Sequence, residues 1–376
     1  MAKHTIPAQN GQPALDRRDF LKAGSVAAGA VAVGGGSAAA GAASASLPAS
    51  ADAGLAAPAV NAGLRQLTLA VPGAIGEAAA GTEAFRLARR LEDALGDGLA
   101  IAVTQTSSGI ADGLATAEFD LVLGTTFALG ALDPAFKVFA GLPHGVDLEP
   151  VAHISWLVAG GGQSLWDDLA ASHGLKPLLA GWMGPGPALL ATAADAGLRG
   201  RRVSAHGLVA DVVRAAGAEV VSLRDVDLEQ AFQSRAIDAA QPLAAPLTTL
   251  AAYSVNPGLM PNGAFSALTV RASFWSKLDR RERAVFEGIA SEALQVSAAE
   301  HLTRARMAQA AQQVRAEPTA LIMGAPDRER LAHLAAAALD AVAQSSPDAG
   351  RIVSSHRAWR DLMTGGGMPA GGAGVV

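Results

Sequence analysis

The chain of 376 residues has no cysteine, a single tyrosine, and aromatic side chains at only 4%. Without thiols there can be no disulfide, no thiolate metal site, no cysteine nucleophile and no lipidated N-terminal cysteine. Positive charge is also scarce: 29 Lys and Arg stand against 34 Asp and Glu, a formal charge of −5. Residues 1–45 carry four basic and two acidic side chains, so their removal moves that charge to −7. A mildly acidic chain with no basic run does not suit nucleic acid. No Ser/His/Asp set, HExxH pattern or closely spaced carboxylate pair is present, and the eight histidines are scattered. Gly162-Gln163-Ser164-Leu165 begins like a nucleophile elbow, but Trp166 fills the second glycine position and could not pack in that turn. The loop from Gly181 to Pro187 lacks the Gly-Lys-Ser/Thr ending of a phosphate cradle. The chain therefore reads as a non-enzyme, with no cofactor and no metal expected.

What the chain does have is apolar content, 50% of residues, together with 42 glycines. Its length suits two domains. Arg17-Arg18-Asp19-Phe20-Leu21-Lys22 is a twin-arginine pattern, followed by a weakly apolar Ala/Gly/Val run that ends in Ala43-Ser44-Ala45. Residues 1–45 thus read as a twin-arginine signal peptide cleaved after Ala45, and 46–63 as a disordered mature N-terminus. Leu67–Val71, Leu99–Val103 and Phe119–Leu123 suit short buried strands. Thr82 is expected to cap a helix to Leu95 with Phe85, Leu87, Ala88, Leu91 and Leu95 on its apolar face. Thr125-Thr126-Phe127, after the third strand, either border a cleft at the strand ends or lie in an ordinary loop. Gly217–Ala239 reads as a strand, an acid-led helix and a second short strand. Gly160–Gly162 is expected to break a helix and let helices approach, with Trp156 and Trp166 as core anchors. Asp279 and Glu282 resemble a capping box at the start of a helix reaching about Ala316. Such a helix either spans two domains or forms a dimer seam. Helices 327–342 and 348–363 follow, and residues 364–376 read as a frayed tail.

These segments resemble the solute receptors of tripartite ATP-independent periplasmic (TRAP) transporters, the 2-oxo-acid branch above all. The residues that carry the resemblance are Gly217-Ala218, Val221 and Ile237-Asp238-Ala239; Leu142-Pro143-His144-Gly145; Trp156 with the Gly160–Gly162 run; Leu165-Trp166; Gly174-Leu175-Lys176; Leu198-Arg199-Gly200; and Pro257-Gly258 with Gly263. The resemblance implies a two-lobed α/β fold of the periplasmic-binding-protein type, class II-like. Its lobes are joined by crossing strands and braced by a long C-terminal helix. Lobe I is expected from 64–155 plus about 256–278, lobe II from 156–255, and the spanning helices from 279–363. It also implies periplasmic delivery of a small organic solute to TRAP membrane permease subunits.

The same resemblance points to a changed ligand site. The family's carboxylate-clamping arginine, four residues after the Leu-x-Gly glycine, falls on Ser204, which is short and uncharged. Arg202, two residues back on the same strand face, is long enough to lean into the site instead. The family's cation-binding glutamate falls on Gln241, and Met260 replaces part of its Trp-His-Glu segment. Hard cations want carboxylate and carbonyl oxygens, so this set makes a poor cage. Ser204, Arg202, Gln241, Met260, Trp182 and Thr125 are therefore the expected ligand contacts, around a solute more neutral or apolar than a 2-oxo acid. The alternative is an accessory or interaction protein that kept the fold and lost ligand binding.

Overall fold

The first sheet is built from strands that are distant in sequence. β1 (Arg65–Pro72), β2 (Leu99–Thr106) and β3 (Leu121–Thr125) run parallel, and β10 (Phe265–Arg271) inserts antiparallel between β3 and β4 (Leu175–Trp182). The strand order is β2-β1-β3-β10-β4. This computed structural model describes residues 65–72, 79–96, 98–106, 110–143, 145–184, 189–192, 197–223, 225–242, 253–256, 263–314 and 319–365. The expected signal peptide, mature N-terminus and the C-terminal tail beyond Gly365, together with His144 and Met260, lie outside the described residues. All described residues belong to one unit, Asn61–Val376.

The second sheet has the order β11-β9-β5-β8-β6-β7, from β5 (Leu189–Ala191), β6 (Arg202–Ser204), β7 (Glu219–Val221), β8 (Ala239–Ala240), β9 (Tyr253–Asn256) and β11 (Thr319–Ile322). β5 is antiparallel to both β8 and β9, so this sheet is also mixed. The expected strand–helix–strand unit is present as β7, a helix over Asp225–Gln233 and β8. Two mixed sheets, with β10 returning to the first after β5 to β9 of the second, bear out the α/β two-sheet expectation. One boundary differs. β4 was expected in lobe II, but it pairs along its length with β10 and closes the first sheet. Its buried Leu178 and Ala180 belong to that sheet's core, which holds it there.

Helices cover both faces of the first sheet. α1 (Ala79–Leu95) buries Leu87 and Leu91 against Leu69 and Leu121. It starts before Thr82, which is therefore not its cap, and Phe85 is 54% exposed rather than part of the buried stripe. α2 (Ile110–Ala115) follows β2, and two 3-10 helices (Thr126–Ala131 and Pro134–Ala140) follow β3. The second is started by Asp133, whose carboxylate accepts the Ala135 N–H at 2.8 Å. α3 (Pro150–Val158) and α4 (Gly162–Ser172) precede β4, and α5 (Gly207–Ala215) and α6 (Asp225–Gln233) belong to the second sheet. α7 (Ala272–Trp275) leads into α8 (Arg280–Val314), which packs Phe286, Ile289 and Ala290 into the α1 core. Its N-terminus is the expected capping box: Asp279 N–H donates to Glu282 and Glu282 N–H to Asp279, both at 2.8 Å. α9 (Ala325–Ser345) and α10 (Pro347–Met363) close the chain, and α10 is capped by Ser346. Among the described residues, no helix is long and apolar enough to cross a membrane.

α3 and α4 meet α10 through aromatic rings. Trp156 and Trp166 are fully buried, and Phe139 stacks on both, with centroids 5.4 and 4.9 Å away and planes nearly parallel. The Trp156 indole N–H donates to Ser355 at 3.1 Å, and that of Trp359 to the Ala152 carbonyl and the Ser155 hydroxyl. His153 and His356 lie beside these rings. Burial, then the neighbouring His356, pushes the His153 pKa down to about 3; the Phe139 main chain opposes this weakly without making a hydrogen bond of ordinary geometry. Burial, then Arg360 and Arg357, pushes His356 to about 3 as well.

The triple glycine permits this packing. Gly161 sits at φ +78° between the two helices, where a side chain would be strained. A Cβ on Gly160 would meet the Trp359 ring at 2.7 Å, and one on Gly162 the Trp156 ring at 2.8 Å. Gly162→Ala is therefore expected to lower unfolding stability by about 1–3 kcal/mol through overpacking. Gly288→Ala, mid-helix in α8 with nothing near the added methyl, is expected to raise it by up to about 1 kcal/mol. Urea unfolding of both variants checks the pair; equal effects at the two sites would contradict the packing argument.

Candidate functional site

β3 and β6 both end at the junction of the two sheets. After β3, the first 3-10 helix begins at Thr126 and brings Phe127 over His206, with ring centroids 5.4 Å apart and an interplanar angle of 20°. His206 is the residue just before α5, so this stack joins the end of the first sheet to the end of the second. Gly207, at φ +58°, lets α5 start directly under Phe127; its Cβ would lie 3.4 Å from that side chain. Lys137 Nζ, on the second 3-10 helix, adds an ion pair to Asp211 of α5 at 2.6 Å. Ligands of α/β sheets sit outside strand carboxyl ends, which makes this junction the candidate site.

Ser204 and Gln241 stand here together. Ser204 ends β6 and Gln241 directly follows the parallel neighbour β8, and the Gln241 N–H donates to the Ser204 carbonyl at 2.7 Å. Ser204 is fully buried and its hydroxyl has no hydrogen-bond partner. Gln241 is also buried, and its Oε1 accepts the His206 N–H at 3.2 Å. The glutamine carbonyl is thus already used to hold the α5 entry. No side chain caps the α5 N-terminus, so its first N–H groups add a weak positive potential. Thr126, buried with an unpartnered hydroxyl, stands at the facing end of β3.

Thr125 and Trp182 end two strands of the first sheet. Thr125 pairs with Ser266 of β10, and Trp182 with Phe265. The Trp182 N–H donates to Ser297 of α8 at 2.9 Å, while its indole Nε1 is buried without a partner. Ser266 is buried with an unpartnered hydroxyl. Ser266 was not among the expected site residues; its hydroxyl lies in β10 three places from a second one, Thr269, so composition alone does not set it apart.

Arg202 does not reach this junction. Its guanidinium donates to the Arg235 carbonyl at 2.6 Å and lies 3.6 Å from Asp238, whose carboxylate also accepts the Arg202 N–H at 2.8 Å. These partners hold the side chain at the start of β6, two residues before Ser204. The expectation that it leans in to replace a missing cation is corrected by that anchoring. Met260 lies outside the described residues. A separate surface groove of about 450 Å³, lined by Ile154, Val158, Leu179 and Ala290 among others, lies between α3, β4 and α8, away from the strand ends.

A two-sheet α/β architecture with its chain crossing back into the first sheet, and a junction at the strand ends, defines a two-lobed periplasmic-binding-protein fold. The solved structures that it resembles include periplasmic solute-binding proteins of TRAP transporters. One from Pseudoalteromonas atlantica, with bound sodium and pyruvate, has a TM-score of 0.73 at 14% identity, over 80% of this chain and 95% of that one. One from Bordetella bronchiseptica, with copurified calcium and picolinate, scores 0.72 at 16% identity, over 80% and 93%. One from Colwellia psychrerythraea, with calcium and pyruvate, scores 0.72 at 15% identity, over 80% and 96%. At these identities the likeness is one of fold. No family model matches the chain, and no curated protein matches it in sequence.

The two junction residues should respond differently to truncation. Gln241→Ala removes an acceptor and is expected to cost about 1–2 kcal/mol. Ser204→Ala removes a buried hydroxyl with no partner and is expected to be neutral or stabilising by up to about 1 kcal/mol. Thermal unfolding of the ligand-free protein measures both; a large loss in Ser204→Ala would mean that the hydroxyl is bonded after all.

Proposed function

We propose that the protein is a periplasmic solute-binding protein that delivers a small organic solute to the membrane subunits of a TRAP-type secondary transporter. The observation that carries this reading is the junction at the ends of β3 and β6, where buried hydroxyls stand unpartnered, within a fold shared with such receptors. Export through the twin-arginine pathway, with cleavage after Ala45, belongs to the same reading and rests on Arg17-Arg18 and Ala43-Ser44-Ala45. Ser204, Gln241, Trp182 and Thr125 are the proposed solute contacts, with Met260 from sequence position. Lobe I is assigned to the first sheet with its α1 and α8 cover, and lobe II to the second.

The solute is proposed to be more neutral or apolar than the pyruvate of the Pseudoalteromonas and Colwellia proteins. A buried carboxylate lacking its charged partner loses about 3–5 kcal/mol, on the order of a hundredfold or more in affinity. Ser204 offers a neutral hydroxyl, Gln241 an amide already engaged on one side, and Arg202 is held elsewhere. The same three observations favour a second reading, an accessory protein that kept the fold without binding a solute. Calorimetry of the mature protein separates them. Pyruvate and longer 2-oxo acids, with and without Na⁺ or Ca²⁺, are expected not to bind at micromolar concentration. Neutral hydroxylated or amide-bearing solutes are expected to bind and to weaken in Ser204→Ala. Micromolar binding of pyruvate would overturn the altered-ligand reading; no binding across a broad solute panel would favour the accessory protein.

A further inference from the structure

Away from the strand-end junction, three potential metal ligands converge beneath the C-terminal helix. Asp147 lies between the second 3-10 helix and α3, His153 on the second turn of α3, and His356 on α10. One ligand atom from each lies within 4.8 Å of the other two. Both imidazoles are fully buried, and their four ring nitrogens have no hydrogen-bond partner of ordinary geometry, the Phe139 main chain making only a weak approach to His153. Buried polar atoms are nearly always paired, and four orphans in one spot are unusual. The rings do not turn freely to find partners. His153 stacks on Phe265 at 4.2 Å and meets Trp156 edge-on, and His356 meets Trp156 at 5.2 Å, nearly perpendicular. Asp147 is fixed in turn: its Oδ1 accepts the Leu142 N–H at 3.1 Å.

We propose that Asp147, His153 and His356 bind a first-row divalent metal ion, zinc being the best match, between α3 and α10. Two imidazole nitrogens and one carboxylate oxygen suit Zn²⁺ in a tetrahedral site, with water as the fourth ligand. Ligand atoms around such an ion stand about 3.4 Å apart, so the three groups need to draw in by no more than about 1.4 Å. The carboxylate offsets half of the ion's charge, and Asp147, the least buried of the three, gives the ion a way in. This proposal does not rest on solute binding, because none of its residues belongs to the strand-end junction.

The test is metal content of the mature protein, stripped with chelator, loaded with Zn²⁺ and dialysed. About one zinc per chain is expected to remain, with a raised melting temperature. Co²⁺ in its place is expected to give the visible absorption of a four-coordinate ion. His356→Gln and Asp147→Asn are expected to weaken zinc binding by about 100-fold and at least about 10-fold, and to lose the cobalt spectrum. If His356→Gln does not fold, Asp147→Asn, which keeps both imidazoles and nearly the same shape, carries the test. No retained zinc, or zinc bound equally well by the Asp147→Asn variant, would overturn the proposal.

Discussion

The aromatic column of Phe139, Trp156 and Trp166 is the contact on which the rest depends. Three elements donate to it, the second 3-10 helix, α3 and α4, and its partners on α10 and β10 complete it. In a chain with so few aromatics, these large rings supply much of the bulk that one extended core needs. That core runs from Ala70 and Val122 of the first sheet to Val203 and Ala239 of the second, and takes in Leu331 and Leu339 of α9. The two sheets are thus held through shared packing as well as through the crossing chain. Flat rings stacked nearly parallel leave no room for bulk between α3 and α4, which is why glycine stands there.

The strand-end junction is built on a different principle. Its fixed parts are polar groups that satisfy one another, the Gln241 amide with the His206 N–H and the Gln241 N–H with the Ser204 carbonyl. Its open parts are hydroxyls. The basic groups nearby are already paired: the guanidinium of Arg202 with Asp238 and the Arg235 carbonyl, and Lys137 with Asp211. The described groups at the junction are thus hydroxyls and an amide, beside the N-terminus of α5.

Much of the fold was legible because its signals are local. The Asp279–Glu282 box, the Gly160–Gly162 break and the β7–α6–β8 unit each lie within one short stretch, and each appears where the residues place it. Sheet membership was less legible. Nothing within Leu175–Trp182 says whether its partner comes before or after it, and only the long-range pairing with β10 assigns it to the first sheet. Phe85 failed for a related reason: helical spacing gives a face, but the neighbouring helix decides how wide the buried face is. At the site, Ser204 and Gln241 came together as expected, whereas the path of the Arg202 side chain depended on Asp238 and Arg235, which no spacing rule connects to it. The Asp147–His153–His356 cluster was invisible because its third member sits at the far end of the chain, and His153 read alone is an ordinary helix residue.

The insertion of β10 between β3 and β4 sets an order on biosynthesis. A ribosome delivers β1 to β4 early, yet β3 and β4 are not hydrogen-bonded to each other and stay separate until β10 emerges, after the strands β5 to β9 of the second sheet. Until then β3 and β4 each present an unpaired edge, the kind of surface that recruits foreign strands. The first sheet therefore cannot mature as an autonomous N-terminal domain, and its contacts are long-range, which slows folding. A nascent chain halted before Phe265 is left with open edges, so the protein reaches its native state as one piece, late, rather than lobe by lobe.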